Sequence, residues 1–209
     1  MHDTRSVRVY NCAMTVTIVG LGNPGSEYDA TPHNVGRYFV DQFAHTYEFP
    51  AWDMDKKRQA LVSKDIIEKT KIELVLPETF MNKSGKSVAH FAGKKKAIEG
   101  LVVVHDDLDL PLGALKISFG RGSAGHKGID SIVKSIKSKE FVRVRIGVCP
   151  TTPTGKLKKP KGEDAVCDFI IGKFKPKEFE VIEKMKSRVI DALEIIALDG
   201  RIRAMNEYN

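Results

Sequence analysis

Six residues have the types and spacing needed for proton-transfer chemistry: Asn23, His33, Asn82, Asp106, His126 and Lys127. Each follows an apolar run that reads as a strand, where open α/β folds bind their ligands. Histidine trades protons most readily near neutral pH. A carboxylate can orient an imidazole, and amides can donate to a developing oxyanion. Together these are the parts of a hydrolase that activates water with a general base. Each residue alone also has a plainer reading. Asn23 before Pro24 is a turn residue, and Asn82 is the N-cap of a following helix. Asp106 caps a strand or pairs with a lysine, His126 is a core histidine, and His33-Asn34 simply opens a helix. Only convergence on one rim separates the two sets.

That convergence depends on the elements that carry the residues. Residues 15–21 read as a buried strand, with His33 at the mouth of a helix over 34–47 whose inward face is Val35, Phe39, Phe43 and Tyr47. Short strands over 59–63 and 72–76 flank a turn. A helix follows over 83–96, then the most apolar strand, 101–105, expected at the sheet centre. A strand over 115–119 leads through glycines to a helix over 125–137 with Ile129, Ile132, Val133 and Ile136 as its stripe. The strand over 143–148 places Arg143 and Arg145 on one face. Residues 151–163, rich in Pro, Lys and Thr, read as a mobile loop, and 177–198 as one long closing helix. The pattern is α/β: a single domain over 14–209 with a mixed, mostly parallel twisted sheet flanked by helices, after a loose extension over 1–13.

Composition narrows the classes. The 209 residues are 42% hydrophobic and 29% charged, which suits one globular domain. Three widely spaced cysteines fit neither a disulfide framework nor a zinc site and point to a reducing, cytoplasmic setting. No apolar run nears the roughly 18 residues of a membrane span. Net charge is +7, and residues 127–161 carry ten Lys or Arg against two acids. Such a stretch is either a solvated face or a surface for a polyanion, nucleic acid being the usual one. In the second case affinity falls steeply with salt.

Two segments, Gly20 to Gly25 and Gly120 to Gly125, fit G-x-G-x-x-G after a strand. A dinucleotide site needs that turn to open directly into a helix. The first does not, and the second runs at once into His126-Lys127 with no acidic strand end after it. Nucleophile-elbow and P-loop signatures are missing, so a covalent nucleophile is not indicated. No metal-ligand cluster is evident, and no cofactor is expected.

The chain closely resembles bacterial-type peptidyl-tRNA hydrolases. The matching motifs are Val19-Gly20-Leu21-Gly22-Asn23-Pro24-Gly25 through Tyr28 to His33-Asn34-Val35-Gly36; Thr79-Phe80-Met81-Asn82-Lys83-Ser84-Gly85; His105-Asp106-Asp107-Leu108-Asp109-Leu110-Pro111-Leu112-Gly113; Gly125-His126-Lys127-Gly128; Arg143-Val144-Arg145-Ile146-Gly147; and Asp168-Phe169-Ile170-Ile171-Gly172-Lys173-Phe174. The resemblance implies hydrolysis of the ester between a peptide and the terminal ribose of tRNA, which returns free tRNA to translation and rescues stalled ribosomes. It implies that His33 activates water, with Asp106 holding its imidazole in the basic form. Asn23, Tyr28, Phe80, Asn82 and Lys127 then stand at substrate-binding positions, and Arg145 and Lys116 at positions gripping tRNA phosphate. It also implies a monomer acting on the acceptor stem and 3′ end, without a metal.

The family pattern is broken at three places. Lys127 stands where Asn is usual, and lysine only donates. Pro32 stands where Arg is usual and stiffens the approach to His33. Ser118 replaces a common phosphate-gripping Lys, with Lys116 two residues away. A non-catalytic RNA-binding relative is the alternative reading. The His33–Asp106 pair argues against it, since a pure binder has no use for that pair.

Overall fold

Seven strands form one sheet in the order β2-β3-β4-β1-β5-β7-β6. The computed structural model describes residues 15–209 apart from Lys94, so the expected 1–13 extension lies outside the described residues. The strands are β1 (Val16–Gly20), β2 (Asp53–Asp55), β3 (Ala60–Ile67), β4 (Thr70–Pro77), β5 (Leu101–Pro111), β6 (Leu115–Phe119) and β7 (Val142–Cys149). The helices are α1 (Val35–Thr46), α2 (Ser84–Ala92), α3 (Lys95–Glu99), α4 (Lys127–Ile136), α5 (Glu163–Ile171), α6 (Pro176–Lys184), α7 (Lys186–Leu198) and α8 (Arg201–Tyr208).

The central strands β4, β1, β5 and β7 run parallel, and antiparallel partners close both edges. β1 is apolar apart from Thr17 and buried along its whole length, as expected for a parallel strand covered on both faces. Alternate residues feed two cores. Ile18, Val102, Val104 and Val144 pack with α1 and α7 through Phe39, Phe43 and Leu193. Val19, Val75, Leu101 and Val103 pack with α2 and α4 through Val88, Ile129 and Ile132. Strand order reverses at β1, which lies between β4 and β5. The crevice at the carboxyl ends of β1 and β5 is therefore the topological switch point.

Four expectations are corrected. β5 does not end at His105 but continues to Pro111, so His105, Asp106 and Asp107 lie within a strand. Their pairing with Arg145, Ile146 and Gly147 of β7 accounts for the extension. The expected 83–96 helix is shorter, ending at Ala92, with the separate short helix α3 after it. The expected 177–198 helix is interrupted at Met185, which ends α6 and precedes α7 while keeping a right-handed helical backbone, φ −77° and ψ −11°. The 151–163 segment is irregular apart from a Thr151–Leu157 bridge, but its last residue begins α5, which the sequence reading lacked. The short edge strand β2 was also unforeseen.

Gly36 fixes the two halves of the switch point against each other. A Cβ there would collide with the Val104 carbonyl of β5 and lie 2.8 Å from the Leu21 backbone. Only glycine lets α1 start this close to both strands. Arg37 adds a tie, its backbone N–H donating to Leu21 and its guanidinium to Pro77 and Glu78.

Candidate active site

His33 leaves β1 by way of a short 3₁₀ turn, Pro32–Asn34, that runs directly into α1. Pro32 at its first position has the φ such a turn requires. The turn carries the buried His33 side chain to β5, where Nδ1 lies 3.0 Å from Asp106 Oδ1. The same Asp106 oxygen is 2.9 Å from Nε2 of His126.

His126 settles the proton positions. It is the N-cap of α4, and its Nδ1 accepts the backbone N–H groups of Gly128 and Ile129 at 3.1 and 3.3 Å. That nitrogen therefore has no hydrogen, and the proton sits on Nε2 and is donated to Asp106. Burial alone would raise the Asp106 carboxyl, but the facing His33 and His126 outweigh it and hold it well below the usual range. An ionised Asp106 accepts from Nδ1–H of His33. The lone pair of His33 is thereby left on Nε2, and His33 lines the cleft.

His105 completes a row of three imidazoles and meets His126 edge to face, ring centroids 4.7 Å apart. It is 1% exposed, and its Nδ1–H donates to the Asp106 carbonyl at 2.7 Å. Burial, reinforced by His126, pushes it well below the ordinary histidine value, so it stays neutral.

Asn23 is also held in one orientation. Its backbone exchanges two hydrogen bonds with the Asn34 amide, and its Oδ1 accepts Met81 N–H at 2.8 Å. With Oδ1 so committed, Nδ2 is the end left for a ligand. These bonds join the 3₁₀ turn carrying His33 to the loop carrying Phe80 and Asn82.

The cleft measures about 570 Å³ and is lined by Asn23, His33, Phe80, Asn82, Asp106 and Lys127 among others. Phe80 is 54% exposed and stands edge-on to Tyr28, ring centroids 6.4 Å apart, at the cleft rim. Asn82 is exposed and caps no helix; the residue before α2 is Lys83. Lys127 is exposed and paired with Glu163. Arg145 and Lys116 lie outside this lining, opposite each other on β7 and β6. Arg145 donates from Nε to Asp107 at 2.6 Å. Ser118 is buried beside Arg143 rather than presented to solvent.

Of the nine site residues expected from sequence, seven lie in the cleft or at its rim (His33, Asp106, Asn23, Phe80, Asn82, Lys127 and Tyr28), and two, Arg145 and Lys116, lie outside it, opposite each other on β7 and β6. Sequence reasoning missed the double bonding of Asp106 and the place of Glu163. The Gly125-His126 motif was a signal for the first. The expectation of no metal-ligand cluster is corrected, because ligand atoms of His33, Asp106 and His126 lie within 4.8 Å of one another. Two N–H donors sharing one carboxylate oxygen account for that approach.

Residues 17–209 match the family model described as peptidyl-tRNA hydrolase. The chain is 36% identical to the peptidyl-tRNA hydrolase of Syntrophotalea carbinolica, over 92% of this chain and 95% of that one. It is 37% identical to that of Chloroflexus aggregans, over 92% and 97%. Among solved structures, peptidyl-tRNA hydrolase from Acinetobacter baumannii superposes with a TM-score of 0.82 at 32% identity, covering 93% of this chain and 94% of that one. A complex of peptidyl-tRNA hydrolase with N-propanol gives 0.82 at 33% identity with the same coverage.

Proposed function

The chain belongs to the peptidyl-tRNA hydrolase family, and on that premise we propose that it cleaves the ester of peptidyl-tRNA with water activated by His33. The observation that carries this reading is the His33–Asp106 pair at 3.0 Å with its second imidazole nitrogen left for the cleft. Nε2 takes a proton from water as the oxygen attacks the ester carbonyl. The imidazolium so formed faces the Asp106 carboxylate, and its proton then passes to the departing ribose oxygen. General-base help of this kind is worth roughly 10²–10⁴-fold. An ester has a good enough leaving group for activated water to suffice without a covalent step.

The oriented Asn23 amide donates from Nδ2 to the peptide carbonyl, and one well-aimed amide adds about 10²–10³-fold. Tyr28 and Phe80 offer ring faces to the terminal adenine, and Asn82 holds the peptide backbone. Arg145 and Lys116 grip acceptor-stem phosphate without reading bases. The enzyme acts as a monomer in the cytoplasm, freeing tRNA for reuse. Among the described residues no helix is long and apolar enough to cross a membrane. The test is turnover of N-acetyl-aminoacyl-tRNA by wild type and His33→Ala: release by the wild type alone supports the reading, and equal release by both sinks it.

A further inference from the structure

Lys127 and Glu163 meet across the mouth of the cleft. Lys127 is the first residue of α4, directly after His126, and Glu163 is the first residue of α5. Nζ donates to Oε1 at 2.7 Å, with the two side chains 57% and 79% exposed. Their hydrogen bond raises the Lys127 ammonium and lowers the Glu163 carboxyl. Both line the cleft with His33 and Asp106.

Two features make this contact exchangeable. Helix α5 has no buried residue, so packing does little to fix its amino end. Exposed ion pairs hold that end instead: Lys127–Glu163, and Lys159–Asp109 in the segment before it. Pairs of this kind are weak and yield to better partners. The ammonium also stands at the amino end of α4, where the helix dipole already favours an anion. In the free protein Glu163 supplies that anion. A tRNA substrate brings others, the phosphodiesters of the single-stranded 3′ end that enters, with the terminal ester, the cleft lined by both His33 and Lys127. Phosphate oxygens are strong acceptors for a lysine point charge.

We infer that Glu163 is a stand-in anion: it holds Lys127 in the free enzyme and yields it to a phosphodiester of the substrate's 3′ strand. Glu163 and the substrate therefore compete for one ammonium, and Glu163 sets how tightly that strand is held. This inference rests on the hydrolase reading of the cleft.

Opposite signs test it. The KM for N-acetyl-aminoacyl-tRNA is measured for wild type, Lys127→Ala, Glu163→Gln and the double variant. Lys127→Ala raises KM about two- to five-fold, the range an exposed pair supports. Glu163→Gln lowers it by a similar factor, and the double variant matches Lys127→Ala. With an N-acetyl-aminoacyl-adenosine ester, which lacks phosphodiesters, neither substitution moves KM. A purely structural latch predicts the same sign for both single variants, and that result overturns the inference. So does a lowered KM for Glu163→Gln that persists without Lys127. If the wild type fails to turn over the tRNA ester, the hydrolase reading falls as well; same-sign variants of an active wild type sink only the exchange.

Discussion

Replacing Asp106 by Asn removes one charge and changes few contacts. Asp106 is 3% exposed, and its Oδ1 accepts from His33 at 3.0 Å and His126 at 2.9 Å. An amide oxygen at the same place still accepts both N–H groups, so the imidazoles keep their positions. The counter-charge to the His33 imidazolium is lost. With charge centres near 4 Å apart and an effective dielectric of about 20, that attraction is about 4 kcal/mol. At about 1.4 kcal/mol per decade, kcat falls about 10³-fold. KM changes little, because the lost interaction matters only once His33 holds the water's proton. Steady-state release of N-acetyl-amino acid from tRNA gives both constants, and circular dichroism shows whether the variant is folded. A folded Asp106→Asn protein within tenfold of wild-type kcat refutes the role assigned to this carboxylate.

His105 is neutral in the fold because burial depresses it. The unfolded chain binds that proton below about pH 6.5, so the folded state loses stability as pH falls through that value. Asp106 is ionised in both states between pH 5 and 6.5 and adds no slope there. Wild-type unfolding free energy therefore drops by up to about 1.4 kcal/mol more per pH unit below 6.5 than that of His105→Asn; parallel curves from urea melts contradict this. Exhaustive dialysis against a chelator leaves kcat unchanged, since hydrogen bonds alone explain the His33, Asp106 and His126 cluster. Loss of activity restored by zinc reassigns the cluster as a metal site.

The buried strands were legible in sequence because a parallel strand covered on both faces must be mostly apolar, as β1 and the start of β5 are. The end of β5 was not. Asp106-Asp107-Leu108-Asp109 reads as a polar rim, and only its pairing with β7 makes it strand. Helix α5 escaped notice because it follows a Pro- and Lys-rich segment and buries no residue fully, Phe169 packing only partly against the core. The break at Met185 carries no Pro or Gly, and buried positions Ile182, Met185 and Val189 continue through it at helical spacing. At the site, residue types and order pointed to His33 and Asp106. The sharing of one carboxylate oxygen did not show, because it depends on His126 acting as an N-cap, an uncommon use of histidine.

One imidazole, His33, is assigned the proton of the attacking water. The most direct test is single-turnover hydrolysis of N-acetyl-aminoacyl-tRNA by wild type and His33→Ala at enzyme concentrations that saturate the substrate. With His33 as the base, the variant still binds the tRNA while its rate constant falls by at least about 10²-fold. A rate constant matching the wild type's would place the base elsewhere.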